Sequence, residues 1–310
     1  MSRPTITLPA FAKINLSLRV LGKRADGYHK IDTVFQTISL HDTITLTVTV
    51  SPEIVLSCDD RSLPASTDNL VYRAAQALQS RFAPDKGAHI RLVKRIPAQA
   101  GLGGGSSDGA ATLIALAYLW QTKAEPPELL EIASSLGADA PFFFFGGTAR
   151  GRGTGKDLAQ LDDAPDKFLL VVKPNANVST AAAYESLNAG SLTTAAAKTI
   201  LSSSERSEIS ESFDSETLQN DFEPAVFELE PEITRAKVAL MNVGAGAALL
   251  AGSGSAVFGI FDSEDAQKRA IQVIELESGW RVFPCCTVGR SHYRSAMGPC
   301  GAIVGRFNGP

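Results

Sequence analysis

Residues 97–120 read PAQAGLGGGSSDGAATLIALAYLW, a glycine-rich segment followed by an apolar one. Four glycines fall within positions 101–105, and Ser106, Ser107 and Asp108 precede an alanine- and leucine-rich run that lacks proline. Glycine permits positive φ angles, serine and aspartate favour helix starts, and alanine and leucine favour helix interiors. The pattern predicts a loop of free N–H groups that runs into a helix N-terminus, which is a phosphate-binding arrangement. A glycine hinge before a core helix is the alternative.

Two common phosphate loops do not match this stretch. A Walker A loop has lysine and then serine or threonine after its last glycine, whereas Gly105 is followed by two serines. A dinucleotide-binding loop has glycine at its sixth position, where this chain has Ser106. A phosphate site here would therefore belong to another class.

The composition limits the kinds of protein to consider. The 310 residues are enough for two domains, and 44% hydrophobic with 20% charged residues is ordinary for a globular protein. The net charge of −4 argues against general binding to nucleic acids or anionic membranes. The chain shows no signal-peptide or membrane-spanning pattern, and its four cysteines lack metal-ligand spacing. The sequence predicts a cytoplasmic protein with reduced thiols.

A polar pair lies inside the first predicted strand, residues 5–20, where apolar and polar side chains alternate. Lys13 and Asn15 are two residues apart, so their side chains leave the same face. They are either water-exposed residues at a sheet edge or ligand-binding groups, and the spacing leaves both interpretations open.

Two aromatic residues follow a turn. Residues 24–29 read RADGYH, in which Asp-Gly indicates a turn. Tyr28 and His29 are unusual after a plain turn, and their rings are suited to clamping a flat ligand. Simple exposure to water is the alternative.

One carboxylate stands in an apolar run. Residues 136–147 read LGADAPFFFFGG, which places Asp139 just before a proline and four phenylalanines. An acid in such surroundings is expected in a low-dielectric cleft, as a general base or a metal ligand. Capping of the following turn is the alternative role.

The remaining segments predict a mixed α/β chain. A basic, glycine-punctuated hairpin over residues 148–157 is expected to close the first half. Residues 188–215 predict a solvated excursion, and residues 289–310 show no clear pattern. Strands are predicted over residues 5–20, 31–40, 43–50, 89–96, 168–172, 257–261 and 281–288. Helices are predicted over residues 68–82 with Asp68 as cap, from Asp108 onward, over 126–136, around Tyr184, and over 220–224, 233–241 and 265–276.

Three segments together resemble a known superfamily. PAQAGLGGGSS at 97–107, AKINL at 12–16 and the late loop LAGSGSA at 250–256 are similar to the kinases that act on galactose, homoserine, mevalonate and phosphomevalonate. RADGYH at 24–29, with Phe35 and Gln36 and with LGADAP at 136–141, resembles more narrowly the cytidyl-diphosphate-methylerythritol kinases.

The resemblance implies a two-domain α+β fold. Residues 1–165 would form a ribosomal-protein-like N-terminal β-α domain with a left-handed βαβ crossover. Residues 166–310 would form a ferredoxin-like domain on the substrate side. The active site would lie in the cleft between the two domains.

The resemblance also implies a reaction, the ATP-dependent phosphorylation of the substrate's C2 hydroxyl in the methylerythritol phosphate pathway to isoprenoids. Asp139 would take the hydroxyl proton, and Lys13 would hold that hydroxyl and the transferring phosphoryl group. The ATP site would consist of Pro97, Ala98, Gln99, Ala100, Gly101, Leu102, Gly103, Gly104, Gly105, Ser106 and Ser107, with Asn69 near the adenine. The pocket for cytidyl-diphosphate-methylerythritol would include Asn15, Tyr28, His29, Lys94, Thr180 and Tyr184.

ATP and Mg²⁺ are the implied cofactors, and the sequence leaves the Mg²⁺ ligands unassigned. We expect a small-molecule substrate and no nucleic-acid, membrane or obligate protein partner. Another kinase of the superfamily is the nearest alternative, which the RADGYH stretch disfavours. A non-catalytic nucleotide sensor is disfavoured by the joint presence of Lys13 and Asp139. An RNA-binding module is suggested by fold analogy alone and is opposed by the acidic balance.

Overall fold

The computed structural model describes residues 3–25, 27–64, 66–187 and 218–307, so the excursion predicted for residues 188–215 lies outside the described part. The strands are β1 (Thr5–Lys23), β2 (His29–Thr49), β3 (Ile54–Cys58), β4 (Gly87–Val93), β5 (Thr148–Gly153), β6 (Asp157–Gln160), β7 (Phe168–Lys173), β8 (Gln219–Asn220), β9 (Ala247–Leu250), β10 (Val257–Phe261) and β11 (Arg281–Cys286). The helices are α1 (Leu70–Phe82), α2 (Gly104–Leu119), α3 (Pro126–Leu136), α4 (Thr180–Ser186), α5 (Glu223–Leu229), α6 (Pro231–Asn242), α7 (Glu264–Ile274), α8 (Arg290–Ala296) and α9 (Gly301–Val304). Short 3-10 turns occur at Ala140–Phe144, Gly298–Cys300 and Gly305–Phe307. Within these ranges, no helix has the length and apolar composition needed to cross a bilayer.

The first sheet is built around the long antiparallel pair β1–β2, with Thr5 opposite Thr47 and Lys23 opposite His29. Its strands run in the order β3, β4, β2, β1 and β8, and β5 and β6 extend from β2. Helices α1, α2 and α3 share one apolar cluster with this sheet. Helix α2 is buried from Ser107 to Ala117, as expected of a helix that is apolar on all sides.

The second sheet is antiparallel throughout, in the order β11, β7, β10 and β9. Strand β7 reads FLLVVK, and side chains on both of its faces are buried. A strand that is buried on both faces is expected to be a continuous apolar run. Leu170 and Val172 pack in the cluster that contains residues of α6 and α7. Leu169 and Val171 lie in a separate cluster with Ile14 of the first sheet. The two sheets therefore share a buried layer, and β1 forms part of it.

Several boundaries differ from the sequence predictions. Strand β2 is continuous, where the alternation predicts two strands. Asn69, and not Asp68, caps α1 by accepting the Val71 N–H at 2.9 Å. Helix α2 begins at Gly104 rather than at Asp108. Glycine is favoured at position 104 because a Cβ there would lie 2.9 Å from the Ile96 side chain.

The C-terminal segment is helical and packs in the first core, although its sequence shows no clear pattern. Tyr293, Met297, Cys300 and Phe307 are buried in the same cluster as α2. The Tyr293 hydroxyl donates to the Phe143 carbonyl at 2.5 Å. Helices α8 and α9 have seven and four residues, too few for an apolar periodicity to be visible.

A buried ion-pair cluster ties the start of α2 to the first sheet. Lys94 Nζ lies 2.5 Å from an oxygen of Asp42 and 2.6 Å from one of Asp108. The second oxygen of Asp42 accepts the N–H groups of Arg95 and Ile96 at 2.5 and 2.8 Å. Removal from water raises the pKa of Asp108 to about 8, with the Lys94 ammonium opposing this shift and the Asp42 charge adding to it. The cluster fixes the chain between β4 and the glycine loop.

Gly146→Ala tests the packing of the C-terminal segment. Gly146 has a φ of +63°, and an added Cβ would lie 2.3 Å from the Tyr293 ring. We expect the free energy of unfolding to fall by about 1–3 kcal/mol or more, measured by urea denaturation. Gly305→Ala is the control, because its φ is −59° and no atom lies within 4 Å of the added Cβ. Equal stability of the two variants would contradict the packing described here.

Asp108→Asn tests the buried acid through pH dependence. The pKa of Asp108 rises from 3.8 to about 8 on folding, so its contribution to stability is fully present below about pH 4 and is lost as the pH rises through 8. We expect urea-derived stability to fall more steeply between pH 5 and pH 8.5 in the natural protein than in the variant. Asp262→Asn is the control, since Asp262 is exposed and its pKa is lowered by Lys167. Parallel curves for the natural protein and Asp108→Asn would refute this account.

Candidate active site

A single cleft of about 1800 Å³ brings the predicted site residues together. Its lining includes every residue predicted for catalysis, for ATP and for the substrate, with the exception of Ser107. Ser107 is buried, and its N–H donates to Gly103 O within the first turn of α2. The cleft lies where β1, the glycine loop, α4 and the loop after β9 meet.

The cationic centre of the cleft is Lys13, which is only 3% exposed. Its Nζ lies 3.2 Å from Asp139 Oδ2 and donates to Asn15 Oδ1 at 2.8 Å. It also lies 5.5 Å from the centre of the Phe35 ring, within the range of a cation–π contact. Asn15 in turn donates to the Thr33 hydroxyl at 2.7 Å. Lys13 and Asn15 are therefore buried groups, and the interpretation of them as water-exposed edge residues is wrong.

Asp139 faces the cleft with a side chain that is 32% exposed. It precedes the 3-10 turn Ala140–Phe144, but its side chain makes no capping hydrogen bond to that turn. The capping role considered for this residue is therefore wrong. A carboxylate beside an ammonium in a partly open cleft can accept a proton from a bound hydroxyl.

The glycine loop packs against Lys13 and against the loop that follows β9. Gly101 and Gly103 have φ angles of +75° and +70°. A Cβ on Gly103 would lie 3.0 Å from Lys13 Cγ, and one on Gly101 would lie 1.8 Å from the Ala251 carbonyl. The Lys13 N–H donates to Leu102 O at 3.0 Å. These contacts fix the loop and disfavour a mobile hinge, and Gly104, Gly105 and Ser106 of the first turn of α2 line the cleft.

Two predicted ligands are already engaged by the protein. Lys94 pairs with Asp42 and Asp108 beneath the start of α2. A Cβ on Gly104 would lie 3.5 Å from its Nζ, so the lysine is close to the predicted ATP loop. The Asn69 side chain caps α1 and donates to Pro64 O at 2.8 Å. Both residues line the cleft, and both also have structural roles that the sequence does not indicate.

Aromatic rings form another part of the cleft. His29 and Tyr184 are stacked, with ring centres 4.5 Å apart and planes at 19°. Phe222 meets Tyr184 edge-on at 4.8 Å, and Tyr28 is 68% exposed at the rim. Burial and nearby Lys23 lower the pKa of His29, so its imidazole is neutral at pH 7. Burial, with the Asp139 charge, raises the pKa of Tyr184 to about 12.

Several cleft residues are missed by the sequence reasoning. Lys23, Arg24 and Lys156 add positive charge to the lining, which suits an anionic ligand. The basic stretch at 148–157 contains the only signal for Lys156, and it predicts a hairpin rather than a site. Gly252 and Ser253 also line the cleft, and the Ser253 hydroxyl lies 3.0 Å from that of Thr180.

Comparison with known proteins identifies the family. Residues 69–147 match the model described as GHMP kinases N terminal domain, and residues 205–277 match the one described as GHMP kinases C terminal. A 4-diphosphocytidyl-2-C-methyl-D-erythritol kinase of Solibacter usitatus is 42% identical over 294 residues, which cover 93% of this chain and 90% of that protein. A kinase of the same name from Pelotomaculum thermopropionicum is 43% identical over 267 residues, covering 86% and 92% of the two chains.

Solved structures agree with this result. A crystal structure of 4-(cytidine 5'-diphospho)-2C-methyl-D-erythritol kinase matches with a TM-score of 0.76 and 31% identity, covering 92% of this chain and all (100%) of that one. A homoserine kinase from Cytophaga hutchinsonii, with a TM-score of 0.70 and 20% identity over 92% and 95% of the two chains, shares the fold. The resemblance predicted from the sequence motifs is confirmed. The chain belongs to the GHMP kinases, which have a two-domain fold of mixed α/β content, and within them to the 4-diphosphocytidyl-2-C-methyl-D-erythritol kinase family.

Proposed function

We propose that the protein transfers the γ-phosphoryl group of ATP to the C2 hydroxyl of 4-diphosphocytidyl-2-C-methyl-D-erythritol, in the methylerythritol phosphate pathway to isoprenoid precursors. The observation that carries this proposal is the 3.2 Å pair of Lys13 and Asp139, in the same cleft as the glycine loop. The names of the relatives supply the identity of the substrate. The His29–Tyr184 pair supplies aromatic surface for its base.

The glycine loop is proposed to hold the ATP phosphates. Phosphoryl transfer depends mainly on positioning and on neutralising negative charge. The N–H groups in the first turn of α2 provide donors, and the positive end of the helix dipole adds to them. The close packing of Gly103 on the Lys13 side chain, where an added Cβ would lie 3.0 Å from Cγ, supports this role.

Lys13 and Asp139 are proposed to act on the reacting hydroxyl. Asp139 would accept the hydroxyl proton as the oxygen attacks phosphorus. An ammonium has three N–H donors; on Lys13 one is donated to Asn15, and the group also pairs with Asp139 at 3.2 Å. A remaining N–H would bind the transferring phosphoryl group. Asn15 would keep the amine in this orientation.

The aromatic pair is proposed to recognise the cytosine base. A neutral His29 ring can donate one hydrogen bond and accept another, which suits the polar edge of an uncharged base. The stacked His29–Tyr184 pair, with Phe222 against Tyr184, would offer aromatic surface to the base. Tyr28 at the rim and Thr180 beside Ser253 would border the rest of the substrate.

Mg²⁺ is proposed to enter with ATP. Across the described ranges, no three histidine, cysteine or acidic side chains form a metal-binding group. Mg²⁺ in ATP sites is typically bound by one or two carboxylates together with phosphates and water, so one protein carboxylate is sufficient. The cleft lining offers the carboxylates of Asp68, Asp139 and Glu185 and the Ser106 hydroxyl as oxygen ligands. The ion would supply positive charge at the β- and γ-phosphates.

We also propose the finer fold assignment and the cellular setting. The β11-β7-β10-β9 order, with helices after β7 and β10, supports a ferredoxin-like second domain. The parallel β3–β4 pair joined by α1 is the unit to which we assign the left-handed crossover of a ribosomal-protein-like first domain. The domain boundary is placed between residues 165 and 166, with residues 290–307 returning to the first core. The free cysteines support a reducing cytoplasm, in which the enzyme would act on small molecules without an obligate partner.

Asp139→Asn tests the proposed base. The amide cannot accept the hydroxyl proton, so we expect kcat to fall by about 10²–10⁴-fold. ATP binding, followed by the ATP-induced rise in Tm, should persist. Asp262→Asn removes an exposed carboxylate that pairs with Lys167 at 2.8 Å and should leave kcat unchanged. Normal turnover by Asp139→Asn would refute the assignment.

A substrate panel tests the reaction itself. ATP consumption, followed by a coupled assay, should depend on the cytidyl substrate. Methylerythritol phosphate lacks the base, so the polar groups of the pocket stay unpaired and kcat/KM should fall by at least ~10²-fold. Faster turnover of mevalonate, homoserine or a sugar would assign the protein to another GHMP kinase reaction. ATP binding without turnover of any acceptor would favour a nucleotide sensor.

A further inference from the structure

Asn220, the last residue of β8, is a buried carboxamide whose hydrogen-bonding groups are engaged by the backbone. It is 5% exposed. Its Nδ2 donates to the carbonyls of Leu250 and Gly252 at 2.8 and 2.7 Å. Its Oδ1 accepts the Phe222 N–H at 3.0 Å. Both donors of the side chain are therefore directed to one short turn.

That turn belongs to residues 250–256, here called the second glycine loop, which borders the ATP loop. The N–H groups of Ser255 and Ala256 donate to the carbonyls of Gln99 and Ala100 at 3.1 and 3.3 Å. A Cβ on Gly252 would lie 2.9 Å from Gly101 O and 3.3 Å from Lys13 Nζ. The second glycine loop thus forms a backbone wall beside the Lys13 ammonium.

Asn220 joins this wall to the strand that carries Lys13. Strand β8 pairs in parallel with β1, and Leu18 lies opposite Asn220. Glu223 reinforces the same connection by accepting the Leu250 N–H at 2.9 Å. The carboxamide is therefore a short link between β1 and the turn at Gly252.

We propose that Asn220 is a positioning residue for phosphoryl transfer. Its carboxamide fixes the turn at Leu250–Gly252, and the turn holds the Lys13 ammonium and the ATP loop in their reacting arrangement. The inference rests on the proposed function. Loss of this link should reduce kcat more than it weakens binding, because small displacements of reacting groups slow the chemical step.

Gln267 offers a matched control. It is 6% exposed, and its Nε2 donates to two backbone carbonyls, those of Leu169 and Cys285, at 2.5 and 2.9 Å. Gln267 does not line the cleft. Replacement of either carboxamide by a carboxylate removes a double donor from a buried site, so the two variants should lose similar stability. Only Asn220→Asp should affect the reaction.

The kinetic experiment compares Asn220→Asp with Gln267→Glu well below their melting temperatures. We expect kcat to fall by about 10–100-fold in Asn220→Asp, while KM for ATP and for the cytidyl substrate change by less than threefold. Gln267→Glu should keep kcat within twofold. A kcat within twofold of the natural enzyme in Asn220→Asp would overturn the proposal. An equal loss of kcat in both variants would also overturn it, because the effect would then follow stability alone.

Hydrogen–deuterium exchange tests the link without using activity. Exchange in residues 250–256 and 99–103 should rise at least tenfold in Asn220→Asp and stay unchanged in Gln267→Glu. Unchanged exchange in both segments would overturn the inference. Absence of turnover in the natural protein would instead refute the proposed function, so the two failures are distinguishable.

Gly252→Ala alters the turn that accepts the Asn220 hydrogen bond. This variant is the alternative test if Asn220→Asp fails to fold. Its added Cβ would crowd Gly101 at a φ of +55°. The same fall in kcat is expected, again with little change in KM. Full activity of a folded Gly252→Ala would overturn the proposal.

Discussion

Burial of the Lys13 ammonium is the constraint on which the rest of the cleft depends. A charge taken out of water needs close partners of opposite charge or strong hydrogen-bond acceptors. Lys13 receives them from two directions, Asn15 on its own strand and Asp139 from the turn before the phenylalanine run. The loops that carry the glycines must approach it closely, and side chains on Gly103 or Gly252 would crowd the lysine. Lys13 therefore lies where the glycine loop, Asp139 and the turn at Gly252 meet.

A second buried cation supports the same site from below. Lys94 joins β4 to the start of α2 through Asp42 and Asp108, so the helix N-terminus is held from the core side. Lys13 holds the loop before that helix from the cleft side through its own N–H and Leu102 O. The glycine loop thus lies between two lysines, one paired in the core and one at the cleft. For the proposed ATP site, this arrangement would fix the donor groups before the nucleotide binds, which is the condition for electrostatic catalysis.

Most residues that were predicted for the site line one cleft, and they could be identified in the sequence because glycine, lysine and aspartate leave strong local signals. AKIN, GLGGGSS and GADAP are short motifs, and each can be recognised from a few neighbouring residues. The partners of Lys94 could not be predicted in this way, since Asp42 lies 52 residues away and is part of an ordinary strand. The partners of Asn220 could not be predicted either, because its side chain donates to Leu250 and Gly252, which lie 30 and 32 residues further along the chain. Contacts of this kind are set by sheet topology, and a single sequence carries little sign of it.

The return of residues 290–307 to the first core has a consequence for biosynthesis. Tyr293, Met297, Cys300 and Phe307 fill positions beside α2, so the first core lacks part of its interior until residues 290–307 have been synthesised. Domains generally fold as units while the chain is still growing, but this core needs a segment that lies far along the chain from its other members. The nascent chain therefore exposes part of this apolar core to water between the synthesis of α2 and that of residues 290–307.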